Sequence, residues 1–560
     1  MRTVLILLGL GFAAPLLGDG LKAVAYRPIL AAPLVGDGLQ AVPTQSVPSA
    51  HTMPVVPSEL LVRPIDVRAN VGRAHDVIEG VSSEAQSYYD QGLSYLHNFV
   101  WIEAARSFNQ ALRLDSHLAL AYVGLSVAHD ELNQRAAAHD ALERARRLEP
   151  NSAHERRHLA VRERQLTAED APQNPENIAR YRSELDAALV EFPADVEFWL
   201  QRGVAEAGDP GDRGQGSPAS AVPFYEHALQ LVPDHFAAHH YLTHAFENSG
   251  RIAEALVHGG AYAGLASEIP HARHMYGHDL RRVGRVQEAI REFEAADRLE
   301  TAYFARERID PDNDWHYEHN LDLLGTSFQY VGQIRRATPL LEKAFALPTA
   351  NLVQAVNKRE WPMFLRATGQ PNAALDAAHT LTAHPNLVVQ AIGHIEAAHV
   401  LIARGQTTEG ASEANTAVAS LRKAPAGNGL AAIPMQVLQG EFFLRTGQRD
   451  KARTTLSAAI AQARAAQGPD EWAQALFTLE SIARAAREAG DWEFAATVAT
   501  QMIEHDASYG GSHYARALVD AHNGDMARAA SEFALAGRFW SGADPDFPPL
   551  LDIRNHLRSP

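Results

Sequence analysis

An all-α chain of stacked helix pairs is what this sequence predicts, on three observations. Glycine stands at 250, 284, 332, 369, 405, 447, 490 and 524, and five residues after each comes alanine, or in one case Gly410. Two of the intervals between these glycines are 34 residues, the length of a helix-turn-helix repeat, and the others are longer. No alternating run of the strand type occurs, while the good helix formers Ala, Leu, Arg and Glu dominate the composition. A chain of 560 residues is also too long for one core, and an array in which each repeat contacts its neighbours carries that length.

From the start of the chain, Val4 to Leu17 is almost wholly apolar, short for a membrane span and suited to the core of a signal peptide. Ala23-Val-Ala25 offers a small-x-small cleavage site. Residues 1–25 are therefore expected to direct export, leaving a periplasmic or secreted bacterial protein with no membrane span in the mature chain. Residues 26–82 are rich in Pro, Ala and Val and repeat Ala14-Pro-Leu-Leu-Gly-Asp-Gly-Leu as Ala32-Pro-Leu-Val-Gly-Asp-Gly-Leu, which reads as a linker. From Ser83, Gly92, Tyr95, Ala104, Phe108 and Ala111 fall on the small-and-large spacing of tetratricopeptide repeats. The small residues allow close helix approach and the aromatics fill the gaps between helices. The expected fold is thus a tetratricopeptide-type solenoid, a right-handed superhelix: repeats at 83–233, 234–347 and 348–540, then a Pro-rich surface tail at 541–560. The polar insertion Gly208–Ser220 follows no strand and lacks the Lys-Ser/Thr of a phosphate loop, so nucleotide binding is set aside.

The net charge of −17 argues against nucleic acid as a partner, because phosphate binding needs a basic face. The chain has no cysteine, which excludes disulfides, iron–sulfur clusters and thiolate metal sites. Histidine and carboxylates remain as strong ligands.

They concentrate between His240 and Asp322. His240, His244 and Glu247 stand at i, i+4 and i+7; His271, His274 and His278 at i, i+3 and i+7; His319 and Asp322 at i, i+3. Each set is one stripe on a helix. The glycine marks at 250, 284 and 332 allow the stripes to be overlaid: His240, His274 and Asp322 lie ten residues before their mark, His244 and His278 six before, His271 and His319 thirteen before. Helices pack roughly 8–10 Å apart and imidazole binds a metal at about 2 Å, so neighbouring stripes can hold an ion between them. Eight ligand-type residues exceed the needs of one ion, and a pair of divalent ions fits the set. Imidazole suits Cu, Fe and Zn. Glu247 and Arg281, in equivalent slots one turn on, are the expected catalytic pair: Glu247 as ligand or base, Arg281 holding an anionic substrate or pairing with Glu247. His235, His239, His258, His316, His394 and His399 read as packing residues. No G-x-S-x-G motif and no cysteine nucleophile is present, so covalent hydrolysis has no support.

The patterns H-Y-x-x-H-x-x-E, H-x-x-H-M-x-x-H and H-N-x-(H/D), in this order, resemble those of a group of large exported bacterial tetratricopeptide proteins. The segments Ala104 to Phe108 and Ala119 to Gly124 are similar to that group's N-terminal repeats. The likeness spans roughly 85–345 and departs at Asp322, where the group has His, and at Tyr276-Gly277, where it has Pro-Ser. It implies the repeat architecture and a shared site, with no established reaction. Two functions follow as expectations. One is a histidine-rich metal centre in the concave groove, serving hydrolysis, oxidation or oxygenation, or metal handling. The other is a non-catalytic scaffold holding a protein or peptide in that groove, with Arg359, Arg366 and His399 facing inward.

Overall fold

The computed structural model describes residues 53–148, 150, 152–466 and 470–558. The expected leader (1–25), the expected cleavage site at Ala23–Ala25 and residues 26–52 lie outside them. Among the described residues the regular structure is helical throughout, and no helix is long and apolar enough to cross a membrane. The chain is an all-α helical solenoid of the tetratricopeptide type.

The N-terminal part comprises α1 (Ser58–Leu61), α2 (Ser83–His97), α3 (Trp101–Leu114), α4 (Ala119–Glu131), α5 (Arg135–Arg147), α6 (Ala153–Asp170), α7 (Pro175–Glu191), α8 (Val196–Val204) and α9 (Val222–Leu231). The central pairs are α10 (Phe236–Asn248) with α11 (Ile252–Leu265), α12 (Pro270–Arg282) with α13 (Val286–Glu307), and α14 (Tyr317–Tyr330) with α15 (Ile334–Ala346). The C-terminal part continues with α16 (Leu352–Asn357), α17 (Glu360–Ala367), α18 (Pro371–Thr382), α19 (Leu387–Ala403), α20 (Thr407–Lys423), α21 (Ala432–Arg445), α22 (Arg449–Ala465), α23 (Glu471–Glu488), α24 (Trp492–His505), α25 (Gly510–His522), α26 (Met526–Phe539) and α27 (Pro548–Arg558).

The glycine–alanine mark has a physical cause. Gly250 ends α10 in the left-handed region (φ 72°), where a side chain is disfavoured, and the next amide, of Arg251, donates to the Phe246 carbonyl at 2.8 Å. The alanine five residues on faces the first helix of its pair; Ala255, Ala289 and Ala337 are fully buried. The exception explains itself: a Cβ at Gly410 would meet Ile402 Cγ1 at 2.6 Å. The aromatic spacing has the same logic. A Cβ on Gly92 or Gly124 would come within 2.4 Å of the Phe108 ring, which fills the gap between α2 and α4.

Two expectations on organisation are corrected. Residues 53–82 are not free linker: Leu60, Leu61, Ile65, Val71 and Ile78 are buried, and backbone groups of the strap are bonded to α2, as where Asn98 donates to the Val71 carbonyl at 2.7 Å. Proline and valine there mark an extended strap laid on helices, which lacks helical periodicity but not burial. The stretch after Trp540 forms α27, with Leu550 and Ile553 buried, and the Asp544 amide donates to the Gly332 carbonyl at 3.1 Å. The polar insertion at 208–220 is pinned to α4 and α6: Arg213 is bonded to Glu131 at 2.6 Å and Glu169 at 2.8 Å. Burial alone would raise the Glu169 carboxyl, but the Arg162 and Arg213 guanidiniums hold it well below the usual carboxylate range. A carboxyl so depressed adds stability above its unfolded value of about 4.3, lost as pH falls toward the folded value. Glu169→Gln leaves buried guanidiniums short of a partner and is expected to cost about 3–5 kcal/mol at pH 7, read from urea unfolding, with the difference from wild type shrinking in acid.

Both ends of the solenoid fold back on its centre. Trp315 donates to the Phe99 carbonyl at 2.9 Å and Tyr303 to Glu103 at 3.1 Å, tying α13 and α14 to α2 and α3. Tyr330 donates to Asp506 at 2.6 Å and Trp540 to the Tyr330 carbonyl at 3.1 Å, tying α14 to the C-terminal repeats. The inner face of the central repeats is therefore covered by the chain itself.

Candidate metal centre

Helices α10, α12 and α14 are the first members of three consecutive pairs, and all six slot-matched histidines lie on them. The structure sorts these into two triads, each taking two residues from one helix and one from the next. His240 and His244 of α10 meet His271 of α12; His274 and His278 of α12 meet His319 of α14. Within each triad the nitrogens offered lie within 4.8 Å of one another. The rule is the same twice over: slots ten and six before one glycine mark join slot thirteen before the next.

In the first triad the His240 Nε2 lies 3.1 Å from His244 Nε2 and 3.0 Å from His271 Nε2. Donors about 2 Å from one ion in tetrahedral geometry stand roughly 3.3 Å apart, so these separations suit a shared ion. His240 Nδ1–H donates to the His97 carbonyl at 2.7 Å, which leaves Nε2 as the free lone pair. In the second triad His274 Nδ1–H donates to Asn320 Oδ1 at 2.9 Å. Asn320 is itself oriented by donation to the Phe293 carbonyl at 3.2 Å. His274 Nε2 is buried with no hydrogen-bond partner among the described residues, as are both ring nitrogens of His278. Burial and mutual repulsion push His240, His271, His274 and His278 well below the ordinary imidazole value, and burial takes His244 down to about 4. These rings are neutral at pH 7, the state a metal ligand requires.

The remaining expected site residues separate. Glu247 stays close: its Oε1 lies 3.6 Å from His278 Nδ1, and burial raises its carboxyl to about 6. Asp322 joins neither triad. Three repeats have two junctions, and the residues that would complete a third set are Thr326 and Val356, neither a ligand. Asp322 instead stands among Glu360, Glu318 and Asp470, which together with burial push its carboxyl far up. Arg281 does not reach Glu247; it donates to Thr326 Oγ1 at 2.9 Å and is buried against α14. The arginine beside Glu247 is Arg282, whose Nη1 lies 3.5 Å from the Glu247 carbonyl oxygen. Of the residues expected to read a partner, His399 is buried and paired with Glu441 at 2.6 Å, and half-buried Arg359 donates to Gln474 at 2.7 Å.

Two site residues escaped the sequence reading. His316 sits between the triads, its ring 5.0 Å from His271 and 4.3 Å from His274. Its Nδ1 bonds Glu300 at 2.5 Å, and its buried Nε2 has no partner among the described residues. Its signal was the sequence position three before His319. Phe99 covers the first triad, with ring centroids 4.6 Å from His240 and 5.2 Å from His271. It does so from the left-handed region, at φ 60°. Phe99 stands five before Ala104, in the slot that holds glycine in the later repeats, and that break in the mark was the signal. Beside Phe99, a cavity of about 240 Å³ reaches His271 and His316 between Trp315, Tyr95 and Tyr303.

Gly277 and Tyr276 fill the place where the resembled group carries Pro-Ser. A Cβ at Gly277 would meet the Phe293 ring at 2.6 Å, and Phe293 backs His274 edge-on at 5.5 Å. Gly277→Ala is expected to cost about 1–3 kcal/mol by overpacking against Phe293, measured by urea denaturation.

No family model matches the sequence, and no curated protein matches it. Among solved structures the chain is similar to YrrB, a tetratricopeptide protein with an unusual peptide-binding site (16% identity, TM-score 0.26, covering 36% of this chain and 93% of that one). It is similar to the human IFIT1 dimer with m7Gppp-AAAA (13%, 0.32, covering 84% and 92%). A tetratricopeptide repeat protein from Parabacteroides merdae is also similar (14%, 0.29, covering 52% and 97%).

Proposed function

We propose that the chain is an exported metal protein whose two histidine triads each hold a divalent transition metal ion, and that the pair serves metal-dependent chemistry. The observation that supports this most directly is the doubled geometry: six imidazoles, brought together three by three, with tautomers set by the His97 carbonyl and by Asn320. Three protein ligands leave coordination positions open, the mark of catalytic rather than structural sites. Copper or iron there would supply oxygen or electron-transfer chemistry, and zinc an activated water for hydrolysis. The chain's own residues orient and shield. Glu247, beside His278, is placed to accept a proton at Oε1. Phe99 and the C-terminal repeats keep bulk water from the triads. The cavity beside Phe99 and Trp315 gives a small substrate room next to His271 and His316.

The scaffold reading, a peptide or protein partner in the groove, is weaker, because Phe99 covers the first triad and Asp470, at the start of α23, lies 3.9 Å from His319 Nδ1 of the second. The deciding experiment is elemental analysis of untagged protein purified without added metal. About two equivalents of Cu, Fe or Zn per chain in excess of any other site support the proposal. A content far below one that does not rise on reconstitution would end it.

A further inference from the structure

A second set of ligand-type side chains lies away from the triads, where the strap crosses α6 and α8. His154 and His158 stand one turn apart on α6. Both present Nε2 to one oxygen of Asp195, at 2.7 and 3.0 Å, and the two nitrogens are 3.2 Å apart. Asp76, from the strap, closes the set: its Oδ1 lies 3.4 Å from His154 Nε2 and its Oδ2 lies 3.8 Å from His158 Nε2.

Each member is held from behind. Asp195 caps α8, its Oδ1 accepting from the amides of Glu197 and Phe198 at 2.8 and 3.3 Å, so that Oδ2 is the oxygen turned to the imidazoles. The Tyr89 hydroxyl donates to Asp76 Oδ2 at 3.0 Å. The His158 ring stacks on Phe198 with centroids 4.0 Å apart, and His154 meets Phe192 edge-on at 5.3 Å. Asp76 and His158 are buried. Two imidazoles at 3.2 Å share at most one proton between them, yet both also converge on one carboxylate oxygen. An ion about 2 Å from each donor, with donors roughly 3.3 Å apart, answers that arrangement.

We propose that Asp76, His154, His158 and Asp195 form a closed four-ligand site for a zinc-class divalent cation, which staples the strap at residues 53–82 to α6 and the start of α8. Two imidazoles and two carboxylates saturate a tetrahedral ion and leave no open position, so this site is structural where the triads are not. It stands independently of the triad reading, since it shares no residue with them.

The test uses the full chain, stripped by chelator and titrated with Zn(II) and then with Co(II), whose visible absorption reports tetrahedral ligation. Asp76→Asn, nearly isosteric, and His154→Ala, at the more exposed histidine, are each expected to lose one equivalent. The site's affinity should fall by more than the roughly 10–100-fold that outer-shell changes cost. His274→Ala with His278→Ala should leave that equivalent in place. In wild type, Zn(II) should slow trypsin cleavage at Arg68 and Arg73 of the strap by up to about a hundredfold when free ion stands at 100 times its dissociation constant, and should not do so in Asp76→Asn. Equal metal binding by wild type and both variants overturns the staple, as does strap cleavage in wild type at the same rate with and without zinc. If the triad variants alone lose nothing, the triad reading fails and the staple stands.

Discussion

Alanine at both His274 and His278 is expected to remove one of the two transition-metal equivalents held by the triads and leave the other. The converse pair, His240→Ala with His244→Ala, should remove that other one. Each triad keeps a single imidazole after such a change, and one imidazole does not hold an ion at micromolar concentration against a chelator. Since losing an outer-shell partner alone costs 10–100-fold in affinity, losing two ligands should abolish binding at that site. The two triads are close, with the His271 and His274 rings 6.1 Å apart on the same helix. They nonetheless use different residues, so the losses should add. Elemental analysis after dialysis checks this, with circular dichroism confirming that the variants stay helical. His274 is fully buried, and its truncation should also cost stability, about 2–3 kcal/mol in the metal-free state. The result that sinks the two-site reading is simultaneous loss of both equivalents from either pair in protein that remains folded. That would mean one centre spread over three helices.

The slots were legible because glycine in the left-handed region cannot easily be replaced, and Gly250, Gly284 and Gly332 therefore fix the register of three helices. The face was legible because i, i+4 spacing is geometry. What one strand of sequence does not contain is the offset between neighbouring helices. The pairing of His244 with His271, and not with His274, depends on how far α12 is displaced along its axis against α10. Asp322 lies outside both triads for that reason: it fills an equivalent slot, but the matching slot of the next repeat holds Val356 and not histidine. His316 was passed over because it precedes the stripe at the helix start, where a residue's direction is set by the incoming turn. The strap was misread because extended, Pro-rich chain lacks a periodic pattern whether it is buried or free. The four-residue set at Asp76 was invisible for a simpler reason. Its members are spread over 120 positions, and only His154 and His158 show a helical spacing.

Phe99 offers the sharpest separation of backbone from side-chain effects in the site. In a slot where later repeats carry glycine, it holds a left-handed backbone, which costs an L-residue about 1–2 kcal/mol. Such strain persists only where the surroundings more than compensate, and it gathers at functional positions. Here the compensation is visible as ring contacts with His240, His271 and Trp315, the last at 6.1 Å, and the Phe99 side chain is 2% exposed. Removing a buried Phe ring typically costs about 3–5 kcal/mol. Phe99→Gly therefore should lose the ring but recover the strain, for a net destabilisation of about 2–3 kcal/mol. Phe99→Ala loses the ring and keeps the strain, so it should fall about 1 kcal/mol below Phe99→Gly, a reversal of the order seen in helix interiors, where alanine is the better residue. Urea unfolding of the metal-free proteins measures both. The functional consequence is local. With the ring gone, His240 and His271 face the cavity without cover, and metal should leave the first triad for a chelator at least tenfold faster while the second triad exchanges as before. A Phe99→Gly protein more stable than wild type would show that the ring does not repay its strain. An unchanged exchange rate at the first triad would show that Phe99 supports the fold and does not guard the site.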